Sequence, residues 1–366
     1  MKLSIKREQL LKPLSHVASV VERRQTLPIL SNILFSVSDD EIKLTGTDLE
    51  VEVLAFMERG ESENGEITLP ARKMLDICRA LPAGADIVLK VEGERAVMKS
   101  GRSRFTLLTM PAADFPNLET SDWDLEIELS QNNIKRLFEK TQFCMAQQDV
   151  RYYLNGLMLE FSGKLMRAVA TDGHRMAISD LEMEKDSTVE KQIIVPRKGV
   201  VELVRSLEDN EDKITLQVST NHIRARLPGM VFTTKLIDGR FPDYKKVIPE
   251  KQTKRININK EVFRDALSRA AILSNEKYRG IRFSIKPENM IISAHNPEQE
   301  EAQEEIAIEY IGEEMEIGFN SSYIIDAVDA LDSECVEFAL ENSNSSGTLR
   351  KPGEDKTSYV VMPMRL

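Results

Sequence analysis

ITLPARKMLDICRAL (residues 67–81), IIVPRKGVVELVRSL (193–207) and IGFNSSYIIDAVDAL (317–331) align with one another without a gap. They begin 126 and then 124 residues apart, so one domain-sized pattern occurs three times in 366 residues. Each opens as a short strand, turns at Pro70, Pro196 or Asn320, and continues with apolar residues at helical spacing. The stripes are Met74, Ile77, Cys78 and Leu81; Val200, Leu203, Val204 and Leu207; and Ile324, Ala327, Val328 and Leu331. An alternating strand follows in every copy: Ile87-Leu89-Val91, Ile214-Leu216-Val218, Val336-Phe338-Leu340. A helical run precedes each, around Leu10-Leu14-Val17-Val21, Ile134-Leu137-Phe138-Thr141 and Val262-Ala266-Leu267-Ala270. Three elements recurring in one order divide the chain near residues 124 and 250, into domains 1–124, 125–250 and 251–366.

In the first copy the pattern predicts a strand at 1–5, a helix from about 7 to 22, and strands near 29–38, 41–46, 49–57 and 65–70. A helix at 72–81 and strands at 86–92, 95–100 and 103–109 follow. Each copy thus has two helices and about eight strands, an α+β class in which helices pack on one face of sheet. Pro13 leaves the start of the first helix open, because an interior proline costs roughly 3 kcal/mol unless it lies in the first turn.

The N-terminal MKLSIKREQL carries charges where a signal peptide would be apolar, and no run of about 18 apolar residues occurs. A soluble, cytoplasmic protein is expected. Cys78, Cys144 and Cys335 show no CxxC spacing and read as buried free thiols. The net charge of −11 argues against a nucleic-acid partner until it is divided by element. The helical segments carry 19 basic and 11 acidic side chains, leaving −19 on the remainder. Solvated helix faces account for part of that segregation, since helices tolerate Lys and Arg well.

Catalytic signatures are missing: no GxGxxG, GxxxxGK[ST], HExxH or GxSxG occurs. The four histidines, His16, His174, His222 and His295, have no second ligand at metal spacing. Thr171-Asp172-Gly173-His174-Arg175 places acid, imidazole and hydroxyl together, but neighbouring turn residues point to different faces. A structural or binding turn is the simpler reading, confined to the second copy because Thr47-Asp48-Leu49 and Ala294-His295-Asn296 lack the arrangement. An enzyme using this turn and a repeat-built protein scaffold remain the rival classes.

The runs TLPIL (26–30), TGTDLE (45–50), SGRSRF (100–105), PAADFPNL (111–118), QDVRYYLNG (148–156), ATDGHR (170–175), VPRKG (195–199), DGRFPDY (238–244), AILSNEKYRG (271–280), NPEQEEA (296–302), EMEIGFN (314–320) and YVVMPMRL (359–366) resemble the bacterial sliding clamps, the beta subunits of DNA polymerase III. The resemblance spans the chain. It implies the DNA clamp fold: a head-to-tail homodimer of three-domain subunits, closed as a six-domain ring with twelve helices around threaded duplex DNA. Such a ring tethers the polymerase III core and takes no cofactor or metal. It also meets the clamp loader, other polymerases and repair proteins through short clamp-binding peptides, with no membrane partner and no catalysis. Basic helices would neutralise phosphates without reading bases.

By the same resemblance, DNA contacts fall on Arg24, Arg72, Gln148, Tyr152 and Tyr153, with Arg197 and Lys198 as further phosphate neighbours. The phenols could stack on exposed bases, worth ~1–3 kcal/mol per base in other systems. A peptide groove between the second and third domains maps to Leu154, Thr171, Gly173, His174, Arg175, Met176, Pro242, Lys246, Val247, Tyr278, Asn320, Tyr323, Asn344 and Ser346. The apolar tail Val360, Val361, Met362, Pro363, Met364, Arg365 and Leu366 completes it. Met176, Lys246, Tyr278 and Asn344 replace the family's commoner leucine, arginine, phenylalanine and valine, which bears on peptide preference. Charge also suggests the dimer contact: Lys73, Arg95, Arg102 and Arg104 in the first copy face Glu298, Glu300, Glu301 and Glu304 in the third. Phe105 and Leu107 would meet Ile272 and Leu273 at its centre.

Overall fold

The computed structural model describes residues 1–366 except 23–26, 119–121, 188, 250 and 366. Six α-helices occur among the described residues: α1 (Arg7–Ser19), α2 (Ala71–Ala80), α3 (Gln131–Glu139), α4 (Arg197–Ser206), α5 (Lys260–Ala271) and α6 (Ser321–Asp329). Each copy repeats one order: strand, helix, four strands, helix, three strands, with an additional two-residue strand, Ser62–Glu63, in the first. The turn into the second helix differs in chemistry. Pro70 occupies the cap of α2 without a side-chain acceptor, whereas the Asn320 side chain accepts from the Ser322 and Tyr323 amides of α6.

The chain packs as two compact units, 1–132 with 198–236 and 133–197 with 237–366. In the first unit, strand Met230–Lys235 pairs antiparallel with Val51–Glu58 and so joins four strands of the second copy to four of the first. The second unit repeats the device, with Thr357–Val361 paired to Arg175–Glu182 in another eight-stranded sheet. In both, the last strand of one copy meets the fourth strand of the copy before it. The registers agree as well: Phe232 faces Val53 and Tyr359 faces Ala177. Ser103–Leu108 and Glu301–Ala307, the corresponding strands left over, each end a smaller sheet.

Helix α1 packs on α2 and on the strands Glu41–Thr47 and Val51–Glu58; α5 likewise packs on α6 and on Glu301–Ala307. Leu10, Leu14 and Val17 are buried on α1, as the stripe predicted, but the helix ends at Ser19 and Pro13 lies in its interior. Residues 28–31 form a 3-10 turn where a strand was expected, since Pro28 presets its first position. On α5 Ala266, Leu267 and Ala270 are buried as expected, but Phe263 is buried in place of Val262, which faces outward. Cys78 and Cys144 are buried, and burial pushes the Cys78 thiol up to about 11. Cys335 is exposed at the start of its strand, contrary to expectation. No helix among the described residues is long and apolar enough to cross a membrane.

Gly46 lies where α1 crosses its sheet, and a Cβ there would stand 2.4 Å from the Val17 carbonyl oxygen. Gly46→Ala therefore forces α1 away from the sheet and should cost about 1–3 kcal/mol. Chemical denaturation checks this; a midpoint equal to that of the parent chain contradicts the close approach.

Candidate binding groove and nucleic-acid surface

The turn Thr171–Arg175 joins strands Leu165–Thr171 and Arg175–Glu182. The Thr171 hydroxyl donates to the Arg175 carbonyl (2.6 Å) and accepts from the Gly173 amide (3.1 Å). Asp172 Oδ1 accepts from the amides of His174 and Arg175 at 2.9 and 3.0 Å. Gly173 has φ +88°, and a Cβ on it would press on the Arg151 guanidinium. The first copy builds the same bonds with Thr47 and Asp48 and with no histidine, holding Leu49 at φ +77°. The aspartate is thus a turn-maker in both copies, which removes the motive for a catalytic Asp172–His174 pair.

What is particular to the second copy is Arg175. Its guanidinium contacts Asp172 (3.1 Å), Asp326 (2.5 Å) and the Phe143 carbonyl (2.9 Å). It also lies over the rings of Tyr323, 4.5 Å away, and Phe143, 5.4 Å away. The turn is thereby held against α6 by a charge that donates from each of its three nitrogens.

Beside it opens a cavity of about 150 Å³. Met176 and Val360, paired across the junction, form its floor; Leu154, Pro242, Tyr244, Val247 and Met362 form its walls; Arg151, Thr171, Gly173, His174 and Arg175 form its rim. The tail is held lightly, by the Met362 amide to the His174 carbonyl (2.9 Å) and the Met364 amide to the Gly318 carbonyl (2.7 Å). His174 stacks on Tyr323, ring centres 6.5 Å apart. An apolar slot with a few polar groups at its rim suits apolar side chains presented by an extended segment.

Ten of the groove residues expected from sequence line this cavity. Val361 is buried opposite Arg175 in the sheet. Asn320 caps α6 and donates to the Tyr278 carbonyl, while Tyr278, Met364 and Arg365 line a separate cavity of about 430 Å³. Lys246 pairs with Asp243 (3.1 Å), the Asn344 amide donates to the Asn342 side chain, and the Ser346 carbonyl accepts from Gln252. Pro363 follows Met362 in the tail, and Leu366 lies outside the described residues. Sequence reasoning missed Arg151 and Tyr244, although both sit in the runs that carried the resemblance.

For the nucleic-acid surface, Gln148 is exposed at φ +55° beside Asp149, which grips Arg151 through both oxygens (3.0 and 2.9 Å). Those hydrogen bonds hold the Asp149 carboxyl down at about 2. Val150 at the tip is 95% exposed, an apolar side chain that no sequence signal singled out. The two tyrosines differ: Tyr152 is 56% exposed, while Tyr153 packs half-buried against the core under the groove. Arg72 is exposed with one bond to the Val21 carbonyl, and Arg197 donates to the Met145 carbonyl. Lys198 pairs with Glu22 and Asp48, so its charge is already balanced within the chain. Arg24 lies outside the described residues.

Of the proposed dimer residues, Lys73, Arg95, Arg102, Arg104, Glu298, Glu300 and Glu301 are exposed. Glu304 is bound by Arg269 at 2.7 Å, and that hydrogen bond holds its carboxyl pKa below the ordinary glutamate value. Ile272 is largely exposed and Phe105 half-buried, but Leu107 already points into the core of its own copy and Leu108 faces outward. Strand alternation puts successive side chains on opposite faces, so an apolar pair at 107–108 cannot share one.

Comparison with known proteins matches three consecutive family models to the chain. They are the N-terminal, central and C-terminal domains of the DNA polymerase III beta subunit, over residues 1–119, 128–243 and 245–365. The beta sliding clamps of Pseudomonas putida and Escherichia coli K12 are 51% and 49% identical to it, each over the full length of both chains. Among solved structures, the DNA polymerase III subunit beta of Pseudomonas aeruginosa superposes with a TM-score of 0.98 at 49% identity, covering all of both chains. That of Caulobacter crescentus does so with 0.95 at 38%, again over both full lengths. With matched domains in the order of its own internal repeat and relatives aligned from end to end, the chain belongs to the DNA polymerase III beta subunit family, the beta sliding clamps.

Proposed function

We propose that two copies of this chain close head to tail into a ring around duplex DNA, with domain boundaries near 124 and 250, and that the groove captures partner peptides. As a member of its family the chain is a DNA sliding clamp, a non-catalytic processivity subunit of the polymerase, and its cellular site of action is the cytoplasm. The observation that carries the ring is the recurring junction. Last strand meets fourth strand twice within the chain, which leaves Ser103–Leu108 and Glu301–Ala307 as edges of matching kind. A second copy satisfies both, and the heterologous contact closes after two subunits. Continued once more, the register sets Phe105 opposite the partner's Ala302, because Val53, Ala177 and Ala302 hold equivalent hairpin positions.

The junctions inside the chain also share an ion pair. Lys12, sixth residue of α1, contacts Glu208 at 2.7 Å; Arg136, sixth residue of α3, lies 3.8 Å from Asp332. At the subunit contact the equivalent positions are Asp265 and the partner's Pro82, which cannot pair. The contact between subunits therefore lacks the ion pair that the two internal junctions share. Exposed pairs of this kind are worth about 0.2–1 kcal/mol, enough to bias which junction parts first.

DNA contact rests on the exposed Arg72, Gln148 and Tyr152, and on Arg197. Lys198 instead serves the junction of the first two copies. Peptide capture rests on the apolar cavity and on the lightly held tail, whose methionines adapt to different side chains.

A ring stays on closed circular DNA and leaves once the circle is cut; equal retention on linear DNA with free ends would sink the reading. Removing residues 362–366 should leave the melting temperature unchanged and weaken binding of an apolar clamp-binding peptide at least about tenfold, since one cavity wall is lost. Tyr152→Ala should reduce loading onto primed DNA without lowering the melting temperature, whereas Tyr153→Ala should lower both. Phe105→Cys with Ala302→Cys should cross-link subunits on mild oxidation, as Cα separations of opposed antiparallel residues suit a disulfide. Asp265→Lys with Pro82→Glu should slow subunit exchange by a few-fold at low salt; exchange at the parent rate would remove the ion-pair argument.

A further inference from the structure

A second cavity, of about 130 Å³, adjoins the groove and shares Pro242 and Tyr244 with it. Gln192, Arg240, Asp243 and Lys245 also line it. Nearly all of its polar groups have partners. The Tyr244 hydroxyl donates to Glu160 (2.6 Å) and accepts from Arg167 (3.3 Å). Gln192 donates to the other Glu160 oxygen (2.8 Å), and Lys245 lies 3.9 Å from that carboxylate. Asp243 pairs with Lys246 at 3.1 Å. Arg240 alone of these groups makes no hydrogen bond, ion pair or ring contact with the described residues. Its guanidinium is a planar fork of donors exposed at the polar end of an apolar slot.

We propose that Arg240 selects a carboxylate placed next to the apolar anchor of a bound peptide, either an acidic side chain or the peptide's own C-terminus. This rests on the groove reading above. Tyr244 lines both cavities and its hydroxyl is tied to Glu160 and Arg167, so a peptide leaving the slot passes from apolar to polar surroundings across one residue. Of the charged residues lining this second cavity two are cations, Arg240 and Lys245, and one is a carboxylate, Asp243, which is already paired with Lys246. On a chain of net charge −11 a local positive excess is what an acidic ligand requires. A guanidinium holds a carboxylate through two parallel bonds, which gives orientation as well as attraction. DNA is the rival occupant, since the preceding Gly239 lies against the Tyr152 ring.

The test uses the intact chain and three labelled peptides with one apolar anchor: neutral and amidated, amidated with an acidic residue beside the anchor, and neutral with a free C-terminus. At low salt the parent chain should bind one or both acidic forms about 1.5- to fivefold tighter than the neutral form, the range of a solvent-exposed charge pair. Arg240→Ala should bring them to the affinity of the neutral peptide and leave that peptide unchanged, with Arg240→Lys intermediate. Which acidic form responds identifies the source of the carboxylate. The proposal is overturned by a preference that survives in Arg240→Ala, by no preference in the parent, or by an equal loss for all three peptides. Weakened DNA retention with unaltered peptide binding overturns it in favour of DNA. Failure of the neutral peptide to bind the parent chain overturns the groove reading itself, and this proposal with it.

Discussion

Backbone pairing between the last strand of one copy and the fourth strand of its neighbour is the constraint on which the rest of the molecule depends. Each four-stranded half-sheet ends in a row of unpaired amides and carbonyls, which is costly to leave open and prone to wrong association. Duplication supplies the matching edge, and within this chain Met230–Lys235 and Thr357–Val361 find it in Val51–Glu58 and Arg175–Glu182. Because side chains alternate along a strand, register is not free: a slip of one residue would turn Phe232 and Tyr359 away from the cores they fill.

The groove is a by-product of one such junction. Val360 and Met176 pair across it, and the turn that precedes Met176 becomes a rim only because the chain continues past Val361 into the tail. The first junction has the same turn chemistry at Thr47 and Asp48, yet the strand there runs on through Leu236 into the next copy, so no free tail can form a wall. Arg175 then fixes the geometry. Bound to Asp172 and Asp326 and covered by Tyr323 and Phe143, it holds turn and helix together at a depth where losing one partner would strand a charge.

Charge segregation turned out to have two uses. Lys12, Arg136, Lys140, Lys198 and Arg269 all sit on the helical segments, but each is paired with an acid in the fold. A count by element could not separate cations that bind copies together from cations that face outward, because pairing partners such as Asp48 and Asp332 lie far away in sequence. Arg72, by contrast, is exposed and has no acidic partner among the described residues.

The sequence by itself determined the threefold repeat, the two helices and eight strands of each copy, and nearly all of the buried stripes, because periodicity of apolar residues is a local property. It also carried the groove as far as Thr171–Met176 and the apolar tail, whose motifs are contiguous. Only the tertiary structure decided which residues those motifs meet. Arg151 and Tyr244 enter the cavity from segments with no apolar signature, Lys198 is drawn to Glu22 and Asp48, and Leu107 turns inward while Leu108 turns out. Those outcomes depend on strand register and on which edges pair, and these are set by contacts between residues a hundred or more positions apart, to which local spacing is blind.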